Sequence, residues 1–174
     1  MLPMKRRNLS RNKAYAKAII AVNRILTTAI YIFYLAMIVY LAVSTPVYRW
    51  IEILPYVAVP GISFIMVSIF RSRFNAPRPY EMPGAPVPII KKDSPGKSFP
   101  SRHIFSIFII AVTAFVLWPP VGMAIALAGV LLAVCRVLGG VHFPRDVVAG
   151  AITGIVLGAA GYWVIVPMLM GRPF

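Results

Sequence analysis

The sequence predicts an all-α fold, a polytopic membrane bundle of about five transmembrane helices, on three observations. Apolar residues make up 60% of the 174, and the mean hydropathy of +0.83 is too high for a chain that faces water over most of its surface. Those residues gather in runs of about twenty, the length that crosses a hydrocarbon core of roughly 30 Å. The links between runs are short, basic or proline-rich, apart from one long loop.

Each element follows in order. Residues 1–24 form a basic segment with Lys5, Arg6, Arg7, Arg11, Lys13, Lys17 and Arg24, too charged to cross a membrane. Residues 25–43 are a first span without a charge; a cleaved signal peptide would have a shorter apolar region and a small-residue cleavage site, so a retained helix is expected. The second span, 50–70, contains Pro55 and Pro60, which a helix among neighbours tolerates as a kink. Residues 71–100 carry seven prolines, so no regular helix is expected to persist there, and a loop of that length in a compact protein is commonly either functional or disordered. The third span is 101–118, the fourth 121–138 after a turn at Pro119 and Pro120, and the fifth 147–166 after a break at Gly139 and Gly140. The whole chain, 1–174, reads as one membrane-embedded domain. Five crossings bring the ends of spans two and four and the starts of spans three and five to one side.

Composition excludes several functions. The formal charge of +14 does not indicate a nucleic-acid binder, because the basic residues lie in short segments between apolar runs rather than on a soluble face. Cys135 is the only cysteine, so no intramolecular disulfide can form. Four acidic residues and two histidines leave little for a metal site, so neither a metal nor a cofactor is expected.

What chemistry there is concentrates on the side where the four span ends meet. In CRVLGGVHFPRD, an arginine (Arg136) stands six residues before a histidine (His142), and an aspartate (Asp146) one helical turn after it. Pro144 suits the first turn of the fifth span, which puts Asp146 near a helix N-terminus where its ionised form is favoured. In FPSRH, Ser101 suits an N-cap for the third span, with His103 in the first turn and backbone N–H groups available to an anion. RSRFNAPRP supplies Arg71 and Arg78.

Together the three segments resemble the signature of the type 2 phosphatidic acid phosphatase superfamily, over residues 71–146. There are three departures: Arg71 stands where the family has lysine, Arg102 where it has glycine, and Cys135 where it has serine. The resemblance implies a six-helix core, of which this chain shows five spans and lacks one before the first segment. It also implies a metal-independent membrane phosphatase with its active site at the membrane interface. His142 would attack phosphorus to give a phosphohistidine, Asp146 would orient it, and His103 would protonate the leaving oxygen. Arg71, Arg78, Ser101, Arg102 and Arg136 would hold phosphate oxygens. The substrate class would be a lipid phosphate or diphosphate: phosphatidic acid, phosphatidylglycerol phosphate or a polyprenyl diphosphate. The motifs read only the shared phosphate and do not choose among these, and the sequence gives no oligomeric state. Two rival readings are an inactive relative serving as a membrane scaffold and a transporter that binds lipid headgroups.

Sixteen of the 18 basic residues lie on the motif side, leaving Arg49 and Arg172 opposite. By the positive-inside rule the active site of this multi-pass cell-membrane protein faces the cytoplasm. With Cys135 changed to serine, a single cysteine introduced at Ser94 is therefore expected to resist a membrane-impermeant maleimide in intact cells and to react once the membrane is opened; prompt labelling of sealed cells reverses the orientation.

Overall fold

The computed structural model describes the backbone of residues 3–91 and 95–171, and side chains from Lys13 onward. The order is α1 (Pro3–Ser44), a 3₁₀ turn (Val47–Glu52), α2 (Leu54–Phe74), α3 (Arg102–Leu117), α4 (Pro119–Leu138) and α5 (Pro144–Ala160). A π-turn (Gly161–Ile165) carries α5 into a final short helix, α6 (Val166–Met170). No strand occurs among the described residues. Four segments are long and apolar enough to cross a membrane, namely Lys13–Ser44, Val47–Glu81, Pro119–Leu138 and Pro144–Met170, and α3 is a fifth, shorter apolar helix. Side chains such as Val43, Leu127 and Leu169 stand outward and unburied, as a lipid-facing surface requires.

Some boundaries differ from expectation. The basic N-terminal segment does not stand apart from the first span; it runs into it as one 42-residue helix, since Ala, Lys, Arg and Asn set no break before Ile25. Pro119 and Pro120 do not form a separate turn but open α4, where their missing N–H groups have no helical acceptor to lose. The long loop begins later than residue 71, because α2 continues to Phe74, and it contains a 3₁₀ turn at Pro79–Glu81.

α3 is the core of the bundle. From Ile104 to Ala111 every residue is buried, and the helix packs against α4 and α5 most extensively and also against α2 and α1. Contact with α5 is close because Gly150, Gly154 and Gly158 recur every four residues on the facing side of α5. A Cβ at Gly150 would lie 2.6 Å from the Ser101 carbonyl oxygen, one at Gly154 2.7 Å from that of Phe105, and one at Gly158 2.9 Å from Val112. Since α3 starts beside Ser101 and α5 starts beside His142, this backbone-to-backbone approach sets the distance between two of the three motif segments. Gly154→Ala should lower the Tm of the detergent-solubilised protein despite the higher helix propensity of alanine, whereas Gly61→Ala on α2, where nothing lies within 4 Å of the new Cβ, should not. An unchanged Tm for Gly154→Ala would show that the α3–α5 contact is looser than this.

Candidate active site

Two arginines organise the loop before any ligand is considered. Arg71 is in the last turn of α2, which ends at Asn75 in the left-handed conformation, its N–H bonded to the Arg71 carbonyl. The Arg71 guanidinium donates to the carbonyls of Pro100 and Lys97. Arg78, 1% exposed, donates from Nε to Gly96 O at 2.8 Å and from Nη1 to Val141 O at 3.1 Å. Its Nη2 reaches Lys97 O at 3.4 Å. These bonds use part of each five-donor fork, leaving the remaining N–H groups of both for an oxyanion. Glu81 closes the loop from the other side, accepting the Arg78 N–H at 2.7 Å and the Gly96 N–H at 2.6 Å. Gly96 needs to be glycine: its φ is +62°, and a Cβ would sit 2.3 Å from Asn75 Oδ1. The backbone of Ser98 is then tied to Ala76, N–H to carbonyl, at 2.9 Å.

That tie delivers a residue absent from the sequence reading. Ser98 is fully buried; its hydroxyl donates to Asp146 Oδ2 at 2.5 Å and lies 3.3 Å from His142 Nδ1. Asp146 Oδ2 lies 3.6 Å from His142 Nδ1, a longer contact than either makes to Ser98, which supplies the shorter link between the two side chains. The serine stands between them because Asp146 is already turned back to cap its own helix, accepting the Phe143 N–H at 3.0 Å. With a proton on Nδ1 the chain runs from His142 N–H to Ser98 Oγ and from Ser98 O–H to Asp146. That arrangement leaves Nε2 with its lone pair. A lone serine between Lys97 and Phe99 gives no sequence signal for this role.

The other expected residues divide. Ser101 occupies the N-cap of α3, but its buried hydroxyl makes no capping bond and has no hydrogen-bond partner; its N–H donates to the Asp146 carbonyl at 2.8 Å, joining the second and third segments. Arg136, 4% exposed at the end of α4, has its Nε buried without a partner, while its carbonyl accepts the Val141 N–H at 3.2 Å. His103, half-buried in the first turn of α3, shares a cavity wall with Arg136. Arg102 lines one cavity with His103, its guanidinium 5.4 Å from the centre of the Phe64 ring on α2, in the geometry of a cation–π contact. Arg71, Arg78, Ser101, His142 and Asp146 thus form one bonded assembly with Ser98, and Arg136 adjoins it through Val141.

His142 is 2% exposed. Burial pushes its imidazole down to about 4; Asp146 pulls the other way, and Arg136 and Arg78 add repulsion. The ring is therefore neutral at physiological pH, the form a nitrogen nucleophile needs. Because the folded value lies below the ordinary 6.5, the unfolded chain takes up a proton that the folded chain refuses as pH falls from 6.5 to about 4. Stability should decline over that window and level off below it. NMR of ¹⁵N-histidine-labelled protein in detergent should find His142 unprotonated at about pH 5.5, and a midpoint at or above its ordinary value would show the ring to be solvated.

A family model described as the PAP2 superfamily matches residues 52–168. The chain is 27% identical over 105 residues to the bacitracin transport permease protein BcrC of Bacillus licheniformis, over 59% of this chain, and spans about half of that relative's length (52%). Among solved structures, Aquifex aeolicus LpxE matches with a TM-score of 0.57 at 22% identity, covering 83% of this chain and 92% of that one. A transmembrane PAP2-type phosphatidylglycerolphosphate phosphatase from Bacillus subtilis matches with a TM-score of 0.58 at 23% identity, covering 88% and 83%. With the family match extending over most of the chain, from the 3₁₀ turn before α2 into α6, and with the fold shared with two such membrane proteins, this multi-pass membrane protein belongs to the PAP2 superfamily.

Proposed function

We propose that the chain is a lipid phosphatase or diphosphatase, a single membrane-embedded domain working through a phosphohistidine at His142. The observation that carries this reading is a buried neutral imidazole, held at Nδ1 by Ser98 and Asp146, beside three buried guanidinium groups, of which Arg136 keeps its Nε unpartnered. Such an excess of buried positive charge is stabilised by an anion, and the site lies at the ends of apolar helices where a lipid headgroup would arrive.

In this reading Nε2 of His142 forms a bond to phosphorus as the P–O bond to the lipid breaks, and His103 protonates the departing oxygen. Arg71, Arg78, Arg136 and the Ser101 hydroxyl hold the equatorial oxygens, across which the transition state spreads its charge. Water activated by His103 then cleaves the P–N bond and releases phosphate. Asp146, with Ser98, keeps the proton on Nδ1 and offsets the charge that His142 acquires, as the acid of a Ser-His-Asp triad does. Arg102, stacked on Phe64, is placed to meet the phosphate on entry rather than to hold it. The site faces the cytoplasm on the charge asymmetry of the loops. The relatives support the class: one solved neighbour is described as a phosphatidylglycerolphosphate phosphatase. Another relative bears the name of a bacitracin transport permease, which favours a second reading, transport without phosphate release.

Phosphate release from phosphatidic acid by the purified protein in detergent separates the two. His142→Ala should abolish release, and Asp146→Asn should lower it by up to about 10⁴-fold. Because arginines supply the positive charge that Mg²⁺ gives other phosphoryl-transfer sites, release should continue in EDTA. Activity of His142→Ala within tenfold of wild type removes the covalent mechanism, and complete EDTA inhibition reversed by one divalent ion removes the arginine-only site.

A further inference from the structure

Two cavities meet at His103. One, of about 540 Å³, is mainly apolar and lies between α1, α2 and α3, with Tyr31, Tyr34 and Phe64 in its wall. The other, of about 490 Å³, lies between α1, the loop at Ile89–Lys91 and the end of α4; it is lined by Asn23, Arg24, Thr27, Lys91 and Arg136 as well as His103. Four of those residues, Asn23, Arg24, Thr27 and Lys91, stand outside the three motif segments and have no part in holding the phosphate at His142.

The second cavity has the chemistry of an anion site. Three of its side chains are cationic, Arg24, Lys91 and Arg136, and among its described lining residues there is no carboxylate. Arg136 is 4% exposed and its Nε has no partner; nor has the buried side-chain oxygen of Asn23, nor the buried hydroxyl of Thr27, although a threonine inside a helix can readily bond back to the preceding turn. Unpartnered donors in a walled, positively charged space are stabilised when an oxyanion accepts from them. The face of α1 that lines it continues into the other cavity. Arg24, Thr27, Tyr31 and Tyr34 are spaced three, four and three residues apart, so they stack along one side of the helix, passing from charge and hydroxyl to aromatic surface.

We propose that this cavity is a second anion subsite, which takes the phosphate next to the lipid chain in a lipid diphosphate while the terminal phosphate lies at His142 and the chain follows Tyr31 and Tyr34. The inference rests on the phosphatase reading above and selects a substrate class within it. In the reaction the P–N bond to His142 forms as the bond from the terminal phosphorus to the bridging oxygen breaks. The electron pair leaves on the lipid monophosphate, whose oxygen His103 protonates. Water then cleaves the P–N bond, releasing inorganic phosphate. Arg24, Lys91 and Arg136 would stabilise the leaving monophosphate as its charge grows.

Farnesyl diphosphate and farnesyl monophosphate test this, since they share a tail and differ by the one phosphate in question. Arg24→Gln, an exposed position on α1, and Thr27→Val, nearly isosteric, should each keep the fold. For Arg24→Gln the ratio of kcat/KM for the diphosphate to that for the monophosphate should fall roughly tenfold, the order of one charge-assisted hydrogen bond, and Arg24→Lys should recover part of it. Thr27→Val should shift the ratio in the same direction. A ratio unchanged in both variants, whether because neither substrate is affected or because both lose equally, overturns the subsite while leaving the phosphatase reading intact. Wild-type protein that releases phosphate from phosphatidic acid but from neither farnesyl compound overturns the subsite alone, and protein that releases it from none of the three overturns both.

Discussion

The buried guanidinium of Arg78 is the constraint on which the remaining architecture rests. A charge removed from water is stable only where dipoles replace its hydration, and here the dipoles are the backbone carbonyls of Gly96, Lys97 and Val141. Two belong to the end of the long loop and the third to the turn between α4 and α5, so solvating one side chain pins two otherwise independent segments to each other. Arg71 adds Pro100 to the same arrangement, and Glu81 fixes the loop's near end to its far end. With the loop so held, Ser98 has one place to go, between His142 and Asp146.

Helix packing supplies the complementary restraint. The glycines of α5 let its backbone approach α3 within contact distance of carbonyl oxygens, so the first turns of both helices begin side by side. The Ser101 N–H bonded to the Asp146 carbonyl is the polar end of that seam. Loop and seam act on different atoms of the same cluster: the loop places Ser98, Arg71 and Arg78, and the seam places Ser101, His103 and Asp146. Arg136, with no carbonyl supplied to its Nε, is left unsatisfied by the fold, as are the Ser101 hydroxyl and Asp146 Oδ1.

Spans, their order and the convergence of three motif segments on one side could be read from the sequence, because apolar run length and motif spacing are local properties of the chain. Contacts across long separations could not. Ser98 reaches Asp146 over 48 residues, a pairing encoded only in how a proline-rich loop folds back. Ser101 fits an N-cap by residue type, yet its hydroxyl is left unbonded while its backbone serves the α5 seam; propensity scales see the first fact and not the second. Arg102 follows the same pattern: its place beside His103 in sequence does not show the Phe64 ring that its guanidinium meets from α2. The polar face of α1 went unread because Arg24 and Thr27 belong to no motif, and a basic residue at a span's edge is ordinary on its own.

α3 has 16 residues, an axial length of about 24 Å, against a hydrocarbon thickness of roughly 30 Å. Its neighbours are longer, with α4 at 20 residues and α2 at 21. Untilted, the central helix is too short for the bilayer's full hydrocarbon depth, and if the shortfall falls at its start the polar cluster there lies below the headgroups of the nearer leaflet. An amphiphile anchored in that leaflet could meet the cluster by sideways diffusion, with its chains still among other chains and only its headgroup drawn down by a few ångströms. Local thinning of the membrane around the short helix would ease that step, and a thicker bilayer would oppose it. Capture of the headgroup then depends on lateral concentration within the sheet of lipid rather than on concentration in the surrounding water.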